Sequence, residues 1–109
     1  MNYRIQITAL AQRDIDEAAG YIEYSLRNPQ ASAALLDAVE EEISSLSLMP
    51  ERCPVVEDEY LASLGIRFLR IKNYLAFYRI DERHSTIYVM RFLYGRRDWA
   101  PILHYTSDV

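Results

Sequence analysis

The stretch of sequence that decides the fold is RFLRIKNYLAFYRI at residues 67–80, which is followed closely by IYVMRFLYGRRDW at residues 87–99. Both stretches are rich in aliphatic and aromatic residues, and turn signals interrupt them at Lys72-Asn73 and at residues 81–84. Connections this short cannot form parallel crossovers, so neighbouring strands must run antiparallel. The pattern predicts a three-stranded meander with strands at about 67–72, 74–80 and 86–94.

The N-terminal half shows one strand followed by two helices. Residues 3–7 alternate apolar and polar side chains, which is typical of a half-buried strand. Thr8 is a predicted N-cap for the first helix, and Asn28-Pro29 is a start signal for the second. The apolar stripes are Ala11, Ile15, Ala18, Ala19, Ile22 and Leu26 in the first helix and Leu35, Val39, Ile43 and Leu46 in the second. Two amphipathic helices so closely connected predict a hairpin that packs against the sheet.

The fold class follows from this order of elements. Residues 47–66 contain Pro50, Pro54 and Gly65 with an acidic run at 57–59, which is typical of a loop with one irregular strand or turn. The first strand is expected to join the meander after the helical excursion. We therefore predict an α+β fold in the order β-α-α-β-β-β, with a two-helix hairpin packed on a small, mainly antiparallel sheet. A chain of 109 residues that is 50% hydrophobic suits one core, so residues 1–109 are expected to form a single domain.

Charge is distributed very unevenly along the chain. Up to residue 60 there are four basic and twelve acidic residues, a net charge of −8, whereas the remainder has eight basic and four acidic residues, a net charge of +4. A basic half that also forms the strands points to a local contact with an anionic partner. The acidic pI of about 5.1 argues against a protein that coats nucleic acid indiscriminately.

The absence of certain sequence features leads to predictions about cellular location, metal sites and cofactors. There is no run of about 20 apolar residues, and the N-terminus lacks the pattern of a secretion signal, which predicts a cytoplasmic protein without a membrane partner. Cys53 is the only cysteine, and with His84 and His104 it makes no recognisable zinc spacing. We therefore predict no metal site and no cofactor.

Arginines mark the candidate binding residues. Arg96 and Arg97 follow a strand and a glycine, and two adjacent cations there can reach carboxylates or phosphates in forked geometry. An arginine within a strand is by default solvated or ion-paired, and this applies to Arg67 and Arg70 individually. Arg91 alternates in phase with the buried-type residues of the last strand, which predicts an architectural ion pair with acidic residues of the helices.

Both faces of the meander are apolar, although the helix pair can cover only one. One predicted face consists of Phe68, Leu75, Phe77, Tyr88, Met90 and Phe92, and the other of Leu69, Ile71, Ala76, Ile80, Ile87 and Val89. Two alternatives remain for the uncovered face. Either the C-terminal tail folds over it with Trp99, Ile102 and Leu103, or it is an open groove for a partner segment.

The element order and two segments resemble the RelE/ParE superfamily of bacterial type II toxins. Residues 72–82 (KNYLAFYRIDE) resemble the central hairpin of that family, and residues 91–98 (RFLYGRRD) resemble its last strand and exit. The resemblance implies a toxin neutralised by a cognate antitoxin in a hetero-oligomer, of the kind associated with plasmid stabilisation. Its RelE-like members are ribosome-dependent mRNA endonucleases, whereas its ParE-like members are associated with inhibition of DNA gyrase.

The sequence departs from the RelE pattern at two positions. Leu75 stands where RelE-like nucleases usually have arginine, and Leu103 stands where their catalytic tyrosine is expected, with His104 and Tyr105 immediately after it. The resemblance to ParE is therefore the stronger one, and it implies an inhibitor without a catalytic centre.

We therefore predict a ParE-like toxin that inhibits DNA gyrase. The expected partner-binding residues are Arg67, Arg70, Arg96, Arg97 and Trp99. The first alternative is a RelE-like endonuclease that acts on ribosome-bound mRNA with Arg96, Arg97, His104 and Tyr105. The second alternative is a degenerate toxin that retains only antitoxin binding.

Overall fold

The computed structural model describes residues 2–107. In chain order its strands and helices are β1 (Arg4–Ile7), α1 (Ala9–Gly20), α2 (Pro29–Ser45), α3 (Glu59–Ser63), β2 (Arg67–Ile71), β3 (Tyr74–Asp81), β4 (Thr86–Tyr94) and α4 (Trp99–Ser107). No helix in this part of the chain is both long and apolar enough to cross a bilayer.

The four strands form one sheet in the spatial order β1-β4-β3-β2. The meander is antiparallel throughout, and β1 lies parallel to β4 at its outer edge. The parallel orientation follows from the helical excursion, which carries the chain back before the meander begins. The predicted α+β class, element order and mainly antiparallel sheet are confirmed.

The helix hairpin is defined by two caps and one buried contact. The Thr8 side chain accepts a hydrogen bond from the Ala11 amide, and the Asn28 side chain accepts one from the Ala31 amide, so both predicted N-caps are confirmed. Ser32 is buried and donates to the Ala19 carbonyl at 2.8 Å, which joins α2 to α1. The first helix is shorter than expected, since α1 ends at Gly20.

A π-helical turn, Tyr21–Ser25, follows α1 directly. The Leu26 amide donates to the Tyr21 carbonyl at 3.1 Å, five residues back. Wider turns of this kind shift the direction of the side chains that follow. Here the turn leaves Tyr21 and Tyr24 exposed at the end of the hairpin.

The main core lies between the helix hairpin and one face of the sheet. It contains the predicted stripe of the second helix, the predicted sheet face and the start of the first helical stripe. Its buried members are Ala11, Ile15, Leu35, Val39, Ile43, Leu46, Cys53, Leu69, Ile71, Ala76, Tyr78, Ile87, Val89 and Phe92. Leu26, the last residue predicted for that first stripe, is instead 55% exposed.

A second core covers the opposite face of the sheet. Its buried members are Val56, Leu61, Ile66, Leu75, Phe77, Leu93 and Leu103. Leu61 belongs to α3 and Leu103 to α4, so the chain's own C-terminal helix packs on this face. The alternative in which the tail covers the face is therefore confirmed around Leu75 and Phe77. Tyr88 and Met90, at the other end of the same face, line a cavity of about 200 Å³. The prediction for residues 47–66 also missed α3, although an isolated bridge between Val55 and Arg67 matches the irregular strand.

A β-bulge in β4 changes which residues reach each core. Phe77 pairs with Arg91 whereas Tyr78 pairs with Val89, so Met90 is an extra residue on β4. Residues before the bulge follow the predicted alternation. Phe92 was predicted to lie on the same face as Phe77. It packs instead in the main core, because the extra residue reverses the alternation of side chains along β4.

Candidate partner-binding site

The exit segment after β4 is fixed against the turn between β2 and β3. The Gly95 amide donates to the Asn73 carbonyl at 2.8 Å. A Cβ atom at position 95 would lie only 3.2 Å from that carbonyl oxygen, so this close approach favours glycine. The segment therefore places Arg96 and Arg97 immediately beyond a rigid hairpin.

Arg96 faces a pocket that also contains Arg70. The pocket has a volume of about 270 Å³ and is lined by Arg70, Asn73, Tyr94, Gly95 and Arg96. The Arg70 Nη1 atom lies 3.6 Å from the position that a Gly95 Cβ would take, so this side chain reaches across from β2. Both guanidinium groups are exposed, and within residues 2–107 neither forms a side-chain hydrogen bond or ion pair with the protein. We call this cavity the Arg70–Arg96 pocket.

Arg97 turns to the other side of Tyr94. It lines a separate cavity of about 200 Å³ together with Asp14, Glu17 and Tyr21 of the helix hairpin. Although adjacent in sequence, Arg96 and Arg97 therefore line different cavities. One surface is free of acidic side chains among the described residues, and the other contains two carboxylates.

An aromatic groove adjoins both cavities and shares lining residues with each of them. It has a volume of about 550 Å³ and is lined by Tyr21, Ile22, Leu26, Asn73, Tyr74 and Tyr94. The ring of Tyr74 stacks on Phe92 at 4.9 Å between centroids and meets Tyr94 edge-on at 5.6 Å. Burial raises the pKa of the Tyr74 phenol, so the ring stays neutral near physiological pH. Tyr21 is 57% exposed and Tyr94 is 42% exposed, which leaves an apolar surface open to a partner.

The other two residues expected to bind a partner have internal contacts. The Arg67 guanidinium donates to the carbonyls of Cys53 and Glu51, and it thereby holds the turn at residues 50–53 against β2. The Trp99 ring lies 5.2 Å from Phe77 and packs on the second core. The structure thus brings Arg70 and Arg96 together in one pocket. Arg67 and Trp99 instead make contacts within the fold.

The predicted architectural role of Arg91 is confirmed. Its Nε and Nη2 atoms donate to the two carboxylate oxygens of Asp14 at 2.7 and 2.9 Å, and its Nη1 atom contacts Thr106 in α4. One Asp14 oxygen also accepts the Phe92 amide at 3.0 Å. Because β1 pairs with β4 only as far as Val89, β4 has no neighbouring strand on that side at Phe92, and the Asp14 carboxylate accepts the amide hydrogen bond that a strand would otherwise accept.

His104 and Tyr105 are not assembled with the arginines. The His104 Nε2 atom lies 2.9 Å from an Asp58 oxygen, and its ring stacks on Tyr60 at 5.1 Å. This hydrogen bond from His104, together with the amide bond from Leu61 at the start of α3, lowers the pKa of the Asp58 carboxyl. Tyr105 is 75% exposed. Within residues 2–107, no hydrogen bond, ion pair or shared cavity joins either residue to Arg96 or Arg97.

Position 75, at the centre of the sheet in β3, carries an apolar side chain. Leu75 is buried in the second core, so its position supplies no cation to a phosphate. The acidic run at residues 57–59 leads into α3, where Asp58 caps the helix and contacts His104.

Sequence reasoning missed several residues of the aromatic groove. Asn73 was recognised only as part of a turn, and Tyr21 and Tyr74 were not assigned to any site. Their signal was weak because each lies at the end of an element, where periodicity no longer decides which way a side chain points. Asp14 lies outside the apolar stripe of α1, and no sequence signal distinguished it from the other acidic residues of the helices as the partner of Arg91.

Comparison with known proteins identifies the family. The family described as ParE toxin of type II toxin-antitoxin system, parDE, matches residues 5–99. The toxin-antitoxin complex RelBE2 from Mycobacterium tuberculosis is similar in structure, with 26% identity over 86% of this chain and 99% of the matched chain and a TM-score of 0.60. The chromosomal ParDE toxin-antitoxin system from P. aeruginosa is similar in fold, with 17% identity over 84% of this chain and 95% of that chain and a TM-score of 0.68. No curated protein matches the sequence. Because the family match spans most of the 109 residues, this chain belongs to the ParE toxins of type II toxin-antitoxin systems.

Proposed function

We propose that this toxin acts in the cytoplasm by inhibiting DNA gyrase and that a cognate antitoxin neutralises it. The observation that carries the proposal is the ParE family match over residues 5–99. The site geometry supports it, because the groups that a RelE-like nuclease needs are dispersed: Leu75 is buried, and His104 is engaged by Asp58. On this proposal the protein acts by binding, without a catalytic centre of its own.

The exit segment is the surface that we assign to the target. Arg97 is exposed beside the aromatic groove, and a cation next to exposed tyrosines is typical of a binding hot spot. Binding of this surface to gyrase would stabilise the intermediate in which the enzyme has cut DNA and is covalently attached to it.

The antitoxin is the second proposed partner. The two solved structures named above are described as a toxin-antitoxin complex and a toxin-antitoxin system. In this chain the aromatic groove offers the exposed apolar area that an antitoxin arm requires, with Tyr21 on one wall and Tyr94 on the other. Complex formation would then cover the same surface that we assign to gyrase, which explains how one partner excludes the other.

Purified toxin should be incubated with gyrase and supercoiled plasmid and then treated with detergent and protease. The expected result is linear DNA, whose amount rises with toxin concentration. Arg97→Ala should raise the concentration needed for half of this effect by about fivefold or more, since a hot-spot side chain contributes over about 1 kcal/mol. Arg83→Ala is the matched control, because Arg83 is also exposed but lies in the turn between β3 and β4.

Ribosome-bound mRNA provides the opposing assay. The RelE-like alternative is kept because of the 26% identity to the chain from RelBE2. Cleavage of the message without any effect on gyrase would refute our proposal in favour of the nuclease. Activity in neither assay, with intact antitoxin binding, would instead identify a degenerate toxin.

A further inference from the structure

We propose that the Arg70–Arg96 pocket binds a phosphate of a single-stranded nucleic acid, with a neighbouring base against the tyrosines of the aromatic groove. This inference deepens the proposed function and rests on it for the source of the strand, which would be the DNA opened at a topoisomerase break. The binding chemistry itself belongs to the isolated protein and requires no gyrase.

Two unpaired guanidinium groups form the anion-binding part. Arg70 projects from β2 and Arg96 from the exit segment, so the two cations approach one cavity from different elements. Neither is neutralised by a carboxylate within residues 2–107. Arginine matches the geometry of phosphate oxygens with paired N–H donors, and two such groups can hold one phosphate from two sides.

The rest of the pocket lining favours an anion as well. Asn73 and Tyr94 contribute neutral polar groups, and none of the described lining residues is acidic. The cavity around Arg97 can be compared with this pocket, since Asp14 and Glu17 lie there and their carboxylates disfavour the entry of a further negative charge. A phosphate entering this surface should therefore prefer the Arg70 side of Tyr94 to the Arg97 side.

The aromatic groove favours a nucleic acid over an acidic peptide. Asn73 and Tyr94 line both the pocket and the groove, so the two cavities lie side by side. A strand whose phosphate occupies the pocket brings its next base alongside Tyr94, Tyr74 or Tyr21. Bases stack on such rings with little sequence preference, whereas an acidic side chain uses only the arginines.

The test measures the binding of a fluorescently labelled oligothymidine of about twelve nucleotides to the isolated protein by anisotropy at low salt. Arg70→Gln and Arg96→Gln should each weaken binding by about fivefold or more, and each should reduce the slope of log affinity against log salt by about 0.7. Arg83→Gln is the matched control, since it removes the same charge from the far end of the β3–β4 hairpin. Its affinity should stay within about twofold of the wild type.

Several results would overturn the inference. Equal weakening in all three variants would show a general charge effect, and the absence of oligonucleotide binding by the wild type would exclude the site. Binding of a glutamate-rich peptide in place of the oligonucleotide, lost in Arg70→Gln, would identify an acidic protein partner instead. All three arginines are exposed, so circular dichroism should show unchanged folding, and loss of binding then reports on the pocket.

The two proposals fail separately. If oligonucleotide binding depends on Arg70 but gyrase is unaffected, the proposed function is wrong and the pocket assignment stands. If the toxin traps linear plasmid with gyrase but does not bind the oligonucleotide, only the pocket assignment is wrong.

Discussion

The ion pair between Asp14 and Arg91 allows the sharpest test of the physical reasoning. The Asp14 side chain is 8% exposed and the Arg91 side chain is 15% exposed, and the carboxylate accepts two hydrogen bonds from the guanidinium and one from the Phe92 amide. Asp14→Leu leaves the largely buried Arg91 guanidinium without its ion-pair partner and leaves the Phe92 amide without an acceptor. Breaking one side of a buried pair costs about 3–5 kcal/mol. This is a large fraction of the free energy of unfolding of about 5–15 kcal/mol that is typical of a domain.

The second substitution should recover part of this loss. Arg91→Met in the Asp14→Leu background removes the unpaired charge and fills the space with apolar atoms. Only the Phe92 amide then remains unpaired, which costs about 1–3 kcal/mol. The double variant should therefore be more stable than Asp14→Leu alone. The expected coupling energy between the two sites is about 2 kcal/mol or more, well above the roughly 0.5 kcal/mol within which independent sites add.

Urea unfolding of the four proteins provides the measurement. Circular dichroism follows the whole fold, and the fluorescence of Trp99, the only tryptophan, follows the packing of α4 on the second core. Coincident transitions would justify the two-state analysis that the cycle requires. If the stability lost in the double variant equals the sum of the stabilities lost in the two single variants, these side chains do not act as a pair.

Three further predictions concern stability. Tyr78→Phe should lower the free energy of unfolding by about 1–3 kcal/mol in urea titrations, because the buried Tyr78 hydroxyl donates to the Pro50 carbonyl at 2.6 Å and phenylalanine leaves that oxygen unpaired; an unchanged midpoint would contradict this. Leu103→Ala should cost about 3–5 kcal/mol, since Leu103 is 0% exposed in the second core, whereas the exposed neighbour Tyr105→Ala should change stability by less than about 0.5 kcal/mol. Asp58→Asn preserves the α3 cap and removes the charge. Because the folded pKa of Asp58 lies below its ordinary value of 3.8, its stabilising effect is present above that pH and is lost as pH falls through the folded pKa. The urea midpoints of wild type and Asp58→Asn should therefore converge in acid, and a gap independent of pH would refute the assignment.

The strands and long helices could be predicted because their signal is repeated several times along each element. The stripe from Leu35 to Leu46 and the alternation around Ala76 leave little choice of face. In α3 only Leu61 is buried, so five residues provide no periodicity from which to infer a helix. The π-helical turn likewise follows α1 without a change in composition.

The candidate site was only partly predictable. The importance of Arg96 was visible from its place after Gly95, but its pairing with Arg70 depends on the register of β2 against β3 and on the approach of Asn73 to Gly95. Two adjacent arginines also look equivalent in sequence. The structure separates them, because Arg97 meets the acidic helix hairpin and Arg96 does not.

The extra residue in β4 decides where this molecule can be recognised. With uninterrupted alternation, Leu93 would share the side of Ile87 and Val89, and Tyr94 would emerge toward the layer formed by α4. The insertion at Met90 reverses that order, so Tyr94 instead emerges beside Tyr74 and within reach of Tyr21. A single residue of irregular pairing thus creates the aromatic wall, and shortening β4 by one residue would dismantle it while leaving every tyrosine in the sequence.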